Sequence, residues 1–165
     1  SLYAAYSSKD ALFAAVVTDW VDQGHDALRE PLSRLAAAED VFESLSEFCR
    51  VLQSGILSPP VLAIRALVIA EADQFPDLAA DYLDRSWNRH LDALAETLAD
   101  LSGRDLLAVE EPHVAAAQLV WLVIGHPLNT RAFTSAGSVA TGGESLAPDR
   151  LVEEGVVTFL ARYGA

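Results

Sequence analysis

The sequence predicts an all-α domain, a helical bundle of about six to seven helices. Three observations carry this. Apolar residues recur at three- and four-residue spacings almost throughout, the period of a helix with one buried face. No segment shows the alternating pattern of a strand. Prolines and glycines cluster at intervals that punctuate helices rather than interrupt them. With 165 residues, 52% of them hydrophobic, the chain can bury one core of ordinary size.

The elements follow in order. Ser7 or Ser8 caps a first helix with Asp10 in its opening turn. Leu12, Val16 and Trp20 form its stripe, Ala27 and Leu28 extend it, and Pro31 ends or kinks it. A second helix starts near Asp40 and carries Phe42, Leu45, Cys49, Leu52 and Ile56, with Gly55 weakening its end. Pro59 and Pro60 occupy a helix start, where proline is tolerated. The third helix, Val61 to Asp73, is apolar on nearly all sides and is expected to be buried all round.

Gln74-Phe75-Pro76-Asp77 makes a tight connection to the longest helix, about 77 to 101. Leu83, Trp87, Leu91, Leu94, Leu98 and Leu101 stripe one side of it. Asp81, Asp84, Arg85, Arg89, Asp92 and Glu96 line the other, and Ser102-Gly103-Arg104 stops it. Beyond the Leu106–Glu111 connector, Pro112 opens a fifth helix whose Val114–Ile124 stretch holds one polar residue, Gln118. Gly125, His126 and Pro127 kink or end it, and Leu128–Phe133 continues it at an angle. Residues 135–147, rich in Gly and Ser, read as a mobile loop. Pro148 and Asp149 then start a last helix with Val152, Val156, Phe159 and Tyr163 on its stripe.

The last two helices offer more apolar surface than one small core uses. That surplus points to a homodimer, with Leu119, Val123, Leu128, Val152, Val156 and Leu160 at the seam.

Charge excludes several functions. There are 24 acids against 11 bases, a net charge of −13. A duplex is gripped by excess Lys and Arg, so this chain alone is not a nucleic-acid grip. The same balance disfavours an anionic membrane surface. No apolar run is long enough to span a bilayer, and the start lacks a signal-peptide layout, so the expected location is the cytoplasm. One cysteine excludes an intrachain disulfide and a Cys-based zinc site. There is no methionine and the first residue is Ser1. Two readings stay open: a chain that begins inside a longer protein, or methionines left out of the sequence, which would shift some spacings by one.

Catalytic signals are thin, and no enzyme, catalytic residue, metal or cofactor is expected. The G-x-S-x-G elbow, the Gly-rich phosphate loop and H-E-x-x-H are missing. Glu110–His113 gives one Glu-x-x-His pair, interrupted by Pro112, where a di-iron bundle needs two. His25, His90 and His126 stand on different helices with no spacing that asks for a shared metal. Cys49 falls on an apolar stripe and reads as a buried structural thiol.

The aromatics allow two readings. Trp20, Trp87, Trp121, Phe42, Phe48, Phe75 and Phe133 are either plain core or partly the wall of an apolar cavity. Arg65 and Glu71 then serve either as its polar anchors or as an ion pair at a helix end.

The first residues carry a resemblance. Ser1-Leu2-Tyr3-Ala4-Ala5-Tyr6-Ser7-Ser8-Lys9-Asp10-Ala11-Leu12-Phe13 resembles the junction of TetR/AcrR-type transcriptional regulators. There a recognition helix ends in Leu-Tyr-x-x-aromatic, and Ser-Lys-acidic-x-Leu opens the next helix. Tyr6 fills a slot where phenylalanine is commoner. Ala70 to Ala79 and Ser102 to Ala117 are similar to connections in the C-terminal domains of that family.

The resemblance implies a remnant of a helix-turn-helix head over residues 1–7 and a ligand-binding and dimerisation domain over 8–165. It implies operator DNA as a partner, through a head mostly absent from this chain, with Tyr3 and Lys9 at positions that touch the DNA backbone. It implies a repressor that releases DNA when a small, largely apolar effector enters the sensor domain. Phe48, Arg65, Trp87 and Trp121, chosen by helix position and residue type, are the expected effector contacts. The rival reading is a stand-alone helical binding protein for apolar molecules, without DNA-binding activity. A helical-bundle enzyme or metal carrier is the remaining alternative, and it lacks converging ligands.

Overall fold

The structure, a computed structural model, describes residues 9–24, 26–133 and 146–165. The described residues form helices α1 (Lys9–Gly24), α2 (Arg29–Ala36), α3 (Val41–Ile56), α4 (Pro59–Glu71) and α5 (Pro76–Tyr82). A π turn (Leu83–Asn88) leads into α6 (Arg89–Gly103), followed by α7 (Pro112–Ala132) and α8 (Pro148–Tyr163). No strand occurs among them; a single bridge pairs Leu107 with Gly164. The all-α bundle is as expected.

Local chemistry accounts for the boundaries. Proline stands in the first turn of α4, α5, α7 and α8, where its missing N–H costs nothing. The Asp40 carboxylate caps α3 by accepting from the Glu43 amide at 2.9 Å. α6 ends in a Schellman arrangement: the Leu106 amide donates to Leu101 O and the Asp105 amide to Ser102 O. Asp105, with φ 57°, takes the left-handed position there. Arg104 then reaches across to donate to the carbonyls of Ala36 and Ala38, closing the end of α2.

Three expectations change, and the fifth helix, expected to kink or end at Gly125–Pro127, does not end there. Pro31 does not end a helix; the break falls after Gly24, and Pro31 sits in the first turn of the short α2. The long helix is not uniform, because six residues at its middle widen into a π turn. α4 is not buried all round: Ile64 and Val68 face inward, while Leu67 is 42% and Ile69 62% exposed. α7 runs on through Pro127 to Ala132 as one element.

The main core joins α3, α6, α7 and α8, with α2 packed on its edge. Gly155 lets α7 and α8 approach closely, since a Cβ there would stand 2.9 Å from Val123 Cγ1. The residues expected at a seam between copies belong to this core. Leu119, Val123, Val152 and Val156 are completely buried, Leu128 nearly so, and Leu160 is half-buried against the same cluster. The first five are consumed within one chain and offer no surface for a second one, while Leu160 keeps part of its surface open. What α7 and α8 leave outside is Val114, Trp121, Leu122 and Val157.

A second, smaller cluster lies apart. Val17 of α1 packs on Ile64 and Val68 of α4, with Phe13, Trp20, Leu78 and Tyr82 around them. The Phe13 and Phe75 rings meet at 5.2 Å between centroids. This cluster holds α1 to the rest of the chain. The expected DNA-contact residue Tyr3 lies outside the described residues, and of Lys9 only the backbone is described. The expected loop at 135–147 also lies outside them, but for its last two residues.

Candidate effector cavity

Between the two clusters lies a cavity of about 370 Å³. Its main-core wall comes from Phe48 and Leu52 of α3, Leu91 and Leu94 of α6 and Val120 of α7. Its opposite wall comes from Trp20 and Val21 of α1, Val61 of α4 and Tyr82 at the end of α5. Gly55 borders it without a side chain, and a Cβ there would meet nothing within 4 Å.

The π turn shapes the third side. A regular helix shows a wall one residue in three or four; a π turn adds a residue and widens that face. Here Tyr82, Arg85, Ser86, Trp87 and His90 all reach the cavity from one rod. The Ser86 hydroxyl donates to the Tyr82 carbonyl, one turn back. Arg85 donates to Asp81 on its own rod and to Asp22 on α1. These contacts tie α1 to the π turn across the cavity rim.

Two electrostatic features stand out. Burial pushes the Tyr82 phenol above its ordinary range, against the pull of the Arg65 charge. Arg65 itself lies over the Trp87 ring, its guanidinium carbon 5.8 Å from the centroid. It does not make the ion pair with Glu71 considered above. Cys49 lies in the core, and burial pushes its thiol up to about 12.

No group of three His, Cys, Asp or Glu residues able to hold a metal occurs among the described residues. His113 instead stands 3.3 Å from Asp92 at the surface. No single helix among them is long and apolar enough to cross a membrane.

Residues 43–165 match the family model of the AefR-like transcriptional repressor C-terminal domain. The chain belongs to the TetR family of transcriptional regulators. Solved structures of the family agree with the fold. A TetR-family transcriptional regulator from Mesorhizobium loti superposes with a TM-score of 0.87 at 26% identity, covering 99% of this chain and 79% of that one. The flavonoid-responsive regulator FrrA superposes with a TM-score of 0.75 at 23% identity, covering 98% of this chain and 78% of that one. No curated protein matches the chain in sequence.

In this TetR-family chain the expected effector contacts divide. Phe48, Arg65 and Trp87 border the cavity. Trp121 does not; it stands behind Trp87, ring centroids 5.6 Å apart, with half its surface in solvent. Its neighbour Val120 is the α7 residue that reaches the wall. Sequence reasoning named Trp20 among the aromatics of a possible cavity wall but not among the effector contacts, and it missed Tyr82, Arg85 and His90 as wall residues. Trp20 stood on a recognised stripe, so its position was available. Arg85 was assigned to the opposite face of a regular helix, and the π turn brought it round.

Proposed function

We propose that the chain is the effector-sensing and dimerising part of a ligand-responsive transcriptional repressor. One observation supports this above the others: the cavity separates α1 from the main core. In the junction described above, α1 is the helix that follows the DNA-binding head. A small, largely apolar molecule between Trp20 on one side and Phe48, Leu52 and Trp87 on the other wedges against α1 directly. The cluster holding α1 is thin, so α1 yields before the main core does. Differential affinity for the shifted arrangement then lowers affinity for operator DNA.

The dimer completes the reading. Two heads in successive major grooves need two copies related by a twofold axis. Val114, Trp121, Leu122 and Val157 are the apolar residues of α7 and α8 available for that contact. Tyr3 and Lys9 serve as contacts to operator phosphates, and the protein works in the cytoplasm.

The test uses the full-length protein with its own upstream DNA. Naringenin, a flavonoid, is the first probe, chosen for its compact body of two aromatic rings on a small fused frame. Binding is followed by fluorescence of Trp20 and Trp87, and DNA release by mobility shift. Saturable quenching accompanied by DNA release supports the proposal. Saturable probe binding to a chain that never retards DNA overturns it in favour of a binding protein without DNA activity. A monomer at micromolar concentration by light scattering overturns the dimer.

A further inference from the structure

The charged side chains around the cavity are Arg65 and Arg85, and no aspartate or glutamate borders it. This is notable in a chain whose net charge is −13. Arg85 is already committed to Asp22 and Asp81. Arg65 has no carboxylate within ion-pair distance among the described residues. It stands instead over the Trp87 ring, its guanidinium carbon 5.8 Å from the centroid, a contact that leaves its N–H donors without a carboxylate partner. Tyr82, which also borders the cavity, lies close enough to feel that charge, though burial outweighs it there.

We propose that the effector is an aromatic or largely apolar weak acid that binds as its anion, with Arg65 pairing its charged group. Its apolar body lies along Trp20, Phe48, Leu52 and Leu94. This rests on the reading of the cavity as the effector site and names the chemistry selected there. The cavity volume is at the small end of the usual range for ligand sites, roughly 300–1,000 Å³, which fits a molecule of two or three rings. The surrounding field of an acidic protein repels anions, so any preference for one arises locally, at Arg65.

The test uses two fluorescent probes with the same aromatic body. Anilinonaphthalene sulfonate is an anion; N-phenylnaphthylamine is neutral. The anion is expected to bind at least about tenfold more tightly, the ratio a charge-assisted pair supplies. Arg65→Gln is expected to weaken the anion by about tenfold and leave the neutral probe unchanged, which also shows that the variant folds. Arg65→Lys is expected to restore part of the anion's affinity. If Arg65→Gln does not fold, Arg65→Lys and a salt titration decide: added salt must weaken the anion alone. Equal affinity for both probes, or an anion indifferent to Arg65, overturns the proposal and leaves the cavity reading standing. Gly55→Phe, which adds a bulky ring at the cavity border, separates the two failures. If both probes bind that variant unchanged, they bind elsewhere, and the cavity reading itself falls.

Discussion

Gln53 Nε2 donates to the carbonyl of Val123 at 2.6 Å, deep between α3 and α7. Val123 is the residue whose helical partner would be the amide of residue 127, and residue 127 is proline. The buried amide therefore fills the bond that Pro127 removes, and α7 continues across a residue that would otherwise interrupt it. The same nitrogen stands 3.3 Å from the carbonyl of Pro148 at the start of α8. One side chain thus ties three helices.

Replacing Gln53 by Leu leaves both carbonyls without that donor. The expected cost is about 1–3 kcal/mol. In a Pro127→Ala background the new amide can serve Val123, so the cost of Gln53→Leu should shrink. Urea denaturation of the four proteins in the double-mutant cycle measures this. Equal costs in both backgrounds would remove the link between Gln53 and Pro127.

Cys49 gives a pH prediction. Its thiol is raised from 9.0 to about 12 by burial. The unfolded chain releases the proton first. The stability tied to this thiol is intact below pH 9 and is lost progressively as pH climbs toward 12. Cys49→Ala should show a shallower fall in stability between pH 9 and 11. The native thiol should also resist a disulfide reagent at pH 8 until the chain unfolds.

Asp105 holds a left-handed backbone at the end of α6. Asp105→Gly should stabilise the chain by about 0.5–1 kcal/mol, since glycine adopts that conformation without strain. Asp105→Val should cost more than about 1 kcal/mol. Thermal melts of the two variants decide, and a common sign for both would contradict the backbone assignment.

The two-cluster arrangement predicts uneven protection. Arg85→Ala removes exposed ion pairs to Asp22 and Asp81, which should leave global stability nearly unchanged. Val17→Ala removes the α1 knob of the smaller cluster. Both should raise amide hydrogen exchange in α1 while α6 to α8 stay protected. Uniform loss of protection would mean that α1 shares the main core's cooperativity.

Much of the fold was legible along the chain. Proline marked the starts of α4, α7 and α8, because a missing N–H is harmless only there. The stripes of α3 and α6 identified Leu45, Cys49, Leu52, Leu94, Leu98 and Leu101 as inward-facing, and all are buried. The cavity was less legible. Phe48, Arg65 and Trp87 were selected for residue type and border it, whereas Arg85, assigned to the opposite face, borders it from within the π turn. That turn leaves no periodic signal, since it is a single extra residue within an otherwise regular helix.

By itself the sequence determined that the chain is helical, where most helices begin and much of what avoids water, although Val16 and Phe42, read on apolar stripes, are exposed. The tertiary structure decided what covers those faces. Leu119, Val123, Val152 and Val156 are covered by the chain itself, Trp121 is left half open, and α4 shows Leu67 and Ile69 to solvent. Hydrophobic periodicity records that a side chain leaves water, and the transfer free energy is similar whichever apolar surface it meets. The pattern therefore carries no label for the partner. Only the packing of one helix against another supplies it.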